Sequence, residues 1–179
     1  MIAKSQDAVV ALALSVLSRD KRERMPYAHL AGLLGMSGSE AFKATQRLVM
    51  SGLVEPSGWR PLSERLWNYL VHGVPHAFPG RLGGATRGVP TAWAAEPVLK
   101  YMPQGSDLPP IWASPDGVVR GYAVEPLLPP APEAIKNLPL LYEPLALVDG
   151  LRVGRARDRA IASVRLKELL LHDTPIPNR

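Results

Sequence analysis

The 179-residue sequence predicts an α+β protein, and three observations carry that expectation. Apolar residues recur at helical spacing, with start and stop signals, through the first part of the chain to about His72. Most of the 19 prolines crowd between Pro75 and Pro144, a segment that no long helical bundle tolerates. Inside it, two strand-like runs flank an Asp116-Gly117 turn, the pattern of a β-hairpin. With 46% hydrophobic and 21% charged residues, the composition is that of a folded protein. The expected division is a head of residues 1–74 and a Pro/Gly-rich module of residues 75–179.

Asp7 can cap a first helix running to about Ser18. Its apolar residues Val9, Val10, Leu12, Leu14, Val16 and Leu17 occupy nearly the whole circumference, so it is expected to be buried on more than one side. Either a partner subunit or the second half of the chain is expected to cover the extra face. Arg19 to Arg24 is strongly charged and no small-residue cleavage site precedes it, which argues against a secretion signal. No apolar run reaches the roughly 20 residues of a membrane span. A cytoplasmic protein without membrane contact is expected.

Pro26 suits the first turn of a second helix, which Gly35 ends. Ser37 and Glu40 form a Ser-x-x-Glu capping box, which starts a third helix at about Gly38; Ser51-Gly52 stops it after Met50. Leu53-Val54-Glu55 reads as a short strand, and a fourth helix follows from about Pro61 to His72. Gly73 to Met102 reads as irregular. Ile111–Ser114 and Val118–Val124 form the expected hairpin, followed by a stiff Pro126–Pro132 connector. Short helical pieces are expected at Pro132–Asn137 and from Pro144, and a last helix over Arg155–Leu171.

Residues Tyr27 to Val54 carry the functional signal. Ala31 is small enough for two helices to cross closely, Gly35 permits a tight turn and Met36 plugs the angle. Ala41, Thr45 and Leu48 bury the next helix. Ser39, Lys43, Gln46 and Arg47 are thereby left outward, residue types that bind phosphate oxygens and base edges in a major groove. This stretch resembles the helix-turn-helix of bacterial winged-helix regulators such as the MarR and ArsR groups. The resemblance implies a dimeric regulator of double-stranded DNA whose recognition helix spans about 38–50. It places Phe42 at a base-facing position, where the ring meets a thymine methyl or docks a protein. The wing is truncated, since Glu55 to Arg60 leaves no room for a full second strand. Arg60 and Trp59 either reach the DNA backbone from this loop or serve as solvated charge and packing.

The net charge of +5 and pI near 9.7 have the sign of a nucleic-acid partner. Dimerisation through Ala8–Leu17 would set two recognition helices about one DNA turn apart. Arg152, Arg155 and Arg159 fall at i, i+3 and i+7 of a helical pattern, a stripe for phosphate or an acidic partner, or a solvated face. Ile161, Val164, Leu166, Leu169 and Leu170 oppose them as a core-facing set. The order of a helix-turn-helix head, a Gly/Pro-rich middle and an Arg-rich C-terminal helix looks like AbiEi-type antitoxins. That likeness implies operon autoregulation and contact with a toxin through the C-terminal half.

Other chemistry is sparse. The absence of Cys excludes disulfide scaffolds, Cys-ligated zinc, iron–sulfur clusters and thiol catalysis. His72 and His76 stand four apart, but Gly73 and Pro75 between them are expected to end the helix, leaving no metal site. Gly80 to Thr91 has the amides and hydroxyls of a phosphate cradle without the Gly-Lys-Ser/Thr ending of a P-loop. With Arg81 and Arg87 in it, the segment is expected to be a structural loop, or else a surface loop that touches DNA backbone or a partner protein. No catalytic constellation and no cofactor site is expected, so the alternative to a DNA reader is a protein-binding adaptor rather than an enzyme.

Overall fold

A computed structural model of the chain describes residues 3–17, 25–102 and 107–171. Its elements are α1 (Ser5–Leu17), α2 (Tyr27–Leu34), α3 (Gly38–Met50), α4 (Ser63–Asn68), α5 (Val74–Ala77), β1 (Leu82–Pro90), β2 (Pro110–Ala113), β3 (Val119–Val124), α6 (Ala131–Asn137), α7 (Tyr142–Val153) and α8 (Ala156–Leu171). The α+β class expected from the sequence holds. The charged run from Arg19 to Arg24 lies outside the described residues.

Helix α1 is the axis of the core. Asp7 sits in its first turn and accepts the Lys4 amide at 3.0 Å, satisfying one of the donors that a helix start leaves open. Every side chain from Ala8 to Leu14 is at most 1% exposed. Helix α3 covers one side; α7 and the 3-10 turn Pro139–Leu141 cover the other. The second half of the chain therefore takes the face that a partner subunit was the alternative to cover. Dimerisation through Ala8–Leu17 is corrected accordingly, because these side chains are already spent on the monomer's own core. That core is continuous across the expected 74/75 boundary, which falls inside α5.

The fourth helix does not end at Gly73. It passes from α4 through a π-helical turn, Tyr69–Gly73, into α5. Pro75 has no amide hydrogen and its ring crowds the preceding turn. The wider turn absorbs this misfit, with the Val74 amide reaching back five residues to the Tyr69 carbonyl. A Cβ on Gly73 would come within 2.9 Å of the Tyr69 ring, so glycine leaves that ring the room it occupies beside the helix.

The largest departure concerns the glycine-rich segment. Leu82 to Pro90 is not a loop but the longest strand. β1 runs antiparallel to both β2 and β3, which pair with each other in parallel, so three strands close on themselves. The expected Ile111–Val124 hairpin is corrected. Both strands and the Ser114–Gly117 turn are present, but the strands take β1 as their antiparallel partner. Glycine makes the tight closure possible. A Cβ on Gly88 would collide with the Trp112 carbonyl, and one on Gly121 with the Pro109 carbonyl.

This closure gives a direct test. Gly88→Ala drives a methyl into backbone that has nowhere to move, so a loss of about 3 kcal/mol or more is expected in urea unfolding. Gly84→Ala on the same strand meets nothing within 4 Å and is expected to be neutral or slightly stabilising. Equal behaviour of the two variants would refute the closed three-strand arrangement.

Helix α6 docks the module on α2: Pro130 lies against Gly35, and the Asn137 side-chain amide donates to the Leu33 carbonyl at 3.4 Å. Between α7 and α8 the chain breaks at Gly154, where a Cβ would strike the Gly150 carbonyl. The single arginine stripe is corrected by this break, since Arg152 belongs to α7, Arg155 lies in the break itself and Arg159 stands in the first turn of α8. Ala162, Leu166 and Leu170 form the buried line of α8, while Val164 is 61% exposed, contrary to its expected inward position.

Candidate nucleic-acid interface

The geometry around α3 follows from local chemistry. The Ser37 hydroxyl accepts the Glu40 amide at 3.2 Å, and the Glu40 carboxylate takes the Ser37 amide at 3.0 Å and its hydroxyl at 2.9 Å. These bonds hold the Glu40 carboxyl below its ordinary pKa range. Gly35, at φ 65°, ends α2 in the left-handed conformation that its missing Cβ permits, and directs the chain into α3.

Ala41, Ala44, Thr45 and Leu48 bury one face of α3. Ser39, Phe42, Lys43, Gln46 and Met50 occupy the other as an exposed helical stripe. Phe42 is 46% exposed, yet its ring meets Tyr27 edge-on at 5.3 Å. Tyr27 stacks in turn on Trp59 at 5.3 Å. Trp59 is thus a packing residue, tying the stub of chain after α3 to α2. That stub is minimal: Val54 bridges Pro61, and the Glu55 amide donates to the Arg60 carbonyl at 2.8 Å. Arg60 is exposed on it.

Arg47 is the exception among the expected contacts. Its guanidinium turns inward and holds Asp7 of α1 through two bonds, Nε to Oδ2 at 2.7 Å and Nη2 to Oδ1. Only 11% of the Arg47 side chain and 3% of the Asp7 side chain are exposed, and the Asp7 bond raises the arginine's pKa. Arg47 is therefore corrected from outward phosphate contact to internal brace. The two residues border a cavity of about 340 Å³ with Tyr69, Leu53 and Met50. The Tyr69 hydroxyl is buried without a hydrogen-bond partner among the described residues, and burial and then Asp7 push its pKa up.

Arg152 is corrected in the same way. It is 7% exposed and donates to Asp149 Oδ1 at 2.6 Å, to the Phe78 carbonyl at 2.8 Å and to the Glu125 carbonyl at 3.0 Å. Asp149 also accepts the Thr91 hydroxyl at 2.8 Å and the Trp112 indole at 2.7 Å. Burial pushes the Asp149 carboxyl above the ordinary range, opposed by Arg152, Thr91 and Trp112. Tyr142 closes the neighbourhood by donating to the Pro90 carbonyl at 2.8 Å; burial carries its pKa to about 12. Arg155 and Arg159 remain exposed. Arg159 donates to the Gly154 carbonyl at 2.9 Å and lines a cleft of about 540 Å³ with His76.

His72 and His76 both stay helical, and the His72 ring meets Trp67 edge-on at 5.9 Å. Among the described residues no group of three or more His, Asp or Glu is placed to hold a metal ion. No described helix is long and apolar enough to cross a membrane. Two features were missed in sequence. One is the Asp149 hub, whose partners lie up to 58 residues away from it in the chain. The other is the pairing of Arg87 with Arg120 across β1 and β3. Only the isolated Asp in an apolar helix, Asp149 among Leu147, Val148 and Leu151, hinted at the first. No protein-family model, curated protein or solved structure matches this chain.

Proposed function

We propose that this chain is a sequence-specific DNA-binding regulator with a helix-turn-helix at α2–α3 and a truncated wing at residues 53–62. The observation that carries the reading is the exposed Ser39, Lys43, Gln46 stripe on α3, opposite a fully buried face. Lys43 and Gln46 have the donors and acceptors to read base edges; Ser39 and Arg60 suit phosphate oxygens. A homodimer on a near-palindromic site completes the reading, formed through a surface other than α1. A second reading has its own observation. Phe42 and Met50, 46% and 69% exposed one turn to either side of Gln46, give two apolar anchors that suit a protein partner such as a toxin.

Fluorescence anisotropy on the protein's own upstream DNA and a scrambled duplex tests the first reading. Gln46→Ala is expected to lower the preference for the native duplex by about 1–3 kcal/mol, roughly 5- to 150-fold, with little change on the scrambled one. Equal loss on both duplexes removes the base-reading role. Phe42→Ala decides the second reading: loss of a co-purified partner with DNA preference intact would favour the adaptor.

A further inference from the structure

The register of β1 and β3 sets Arg87 directly opposite Arg120, with Ala85 opposite Tyr122 two residues along. Residues opposite one another in an antiparallel pair share a face, so Arg87, Arg120 and Tyr122 stand together. Like charges in that position repel, so the pair costs the fold stability unless an anion lies against it. Both arginines are exposed, and neither forms an ion pair with a carboxylate among the described residues. Arg47, Arg152 and Arg165, in contrast, each hold an acid.

The surroundings suit a polymer rather than a compact ion. Gly83, Gly84, Ala85 and Thr86 give the exposed part of β1 only small side chains, so nothing bulky stands beside the two arginines along this strand. Tyr122, 37% exposed, adds a hydroxyl donor and a ring edge. The patch is also joined to α2–α3 by consecutive contacts. The Ser114 amide donates to the Arg87 carbonyl at 3.2 Å, and Gly117 packs on Gly88. Asp116 then pairs with Lys136 at 3.1 Å, and the adjacent Asn137 bonds the last turn of α2.

We infer that the Arg87–Arg120 face of the small barrel is a second nucleic-acid contact, binding the phosphate backbone of duplex DNA independently of base sequence. The guanidinium forks match phosphate oxygens, and an anionic strand laid between them converts their mutual repulsion into shared attraction. The inference extends the DNA-reading proposal by giving the Pro/Gly-rich module a share of the footprint.

The test is an anisotropy titration of the native and scrambled duplexes across about 50–200 mM salt, with wild type, Gln46→Ala and the Arg87→Ser/Arg120→Ser double variant. Two lost phosphate contacts are expected to reduce the slope of log K against log salt by about 1.8 and to weaken both duplexes about equally. The melting temperature of the double variant is expected to stay level or rise, since the cross-strand repulsion is relieved. An unchanged slope, or a loss confined to the native duplex, overturns the inference. So does unchanged DNA affinity with weakened binding of a poly-glutamate peptide, which would assign the face to an acidic protein. If wild type shows no preference between duplexes while the slope still falls, base reading by α3 fails and the backbone contact stands. If wild type binds neither duplex, both fail.

Discussion

Asp149→Asn is expected to destabilise the protein by about 3 kcal/mol, although it changes one atom and no volume. All three side-chain partners of this carboxylate point donors at it. Arg152 and the Trp112 indole have no acceptor to offer in return. An amide at this position must aim its NH₂ at Arg152 in one flip, or at Trp112 and Thr91 in the other. Either way a buried donor faces a buried donor. The consequence spreads because the hub joins the end of β1, β2 and α7, while Arg152 carries it on to the carbonyls of Phe78 and Glu125. Urea denaturation is the measurement, with near-UV circular dichroism as a second readout to which Trp112 contributes as one of four tryptophans. Trp112→Phe keeps the ring and removes one donor, so a smaller loss, about 1–2 kcal/mol, is expected there. Loss of the same size in both variants would mean that packing, not polarity, holds this region.

Arg47→Ala is expected to cost about 3–5 kcal/mol, because it strands a carboxylate that is almost fully buried. Asp7 would keep only the Lys4 amide as a donor. The double variant Asp7→Asn/Arg47→Met is expected to recover much of the loss, since removing both charges leaves no uncompensated ion. The same substitution separates bracing from DNA contact. As a brace, Arg47→Ala lowers the fraction folded but leaves the salt slope of DNA binding in the folded protein unchanged. A slope reduced by about 0.9 would restore the phosphate contact that its position on α3 first suggested.

The contrast between these arginines and the α3 stripe shows where sequence reasoning stops. The boundaries of α3 are set by groups three or four residues apart: Ser37 and Glu40 at its start, Ser51 and Gly52 at its end. Such signals are complete within one helical turn, so they were legible. Its outward face was legible too, except at Arg47. Helical spacing places Arg47 at the margin of the face, and a long side chain can swing either way from there. The deciding carboxylate lies 40 residues earlier in the chain.

The barrel was misread for a related reason. Glycine is a poor strand former, so Leu82–Pro90 reads as a loop wherever local preference decides. In the folded chain Gly88 and Gly121 serve contacts that preference cannot express, since a backbone carbonyl of another segment stands where each Cβ would be. The Asp116-Gly117 turn, correctly placed, pointed to a hairpin because turns specify only the residues beside them; β1 then supplied a better antiparallel partner to both strands.

By itself, then, the sequence determined the class of the fold, the helix pair α2–α3 with its caps, and the polar stripe from Ser39 to Gln46, all products of interactions within a few residues. Tertiary structure alone decided that α1 is covered by α7 and not by a second subunit, that Arg47 and Arg152 face inward, and that Arg87 meets Arg120. Those outcomes depend on which distant groups share a buried volume. In that volume an unpaired charge costs several kcal/mol and a misplaced methyl cannot be accommodated.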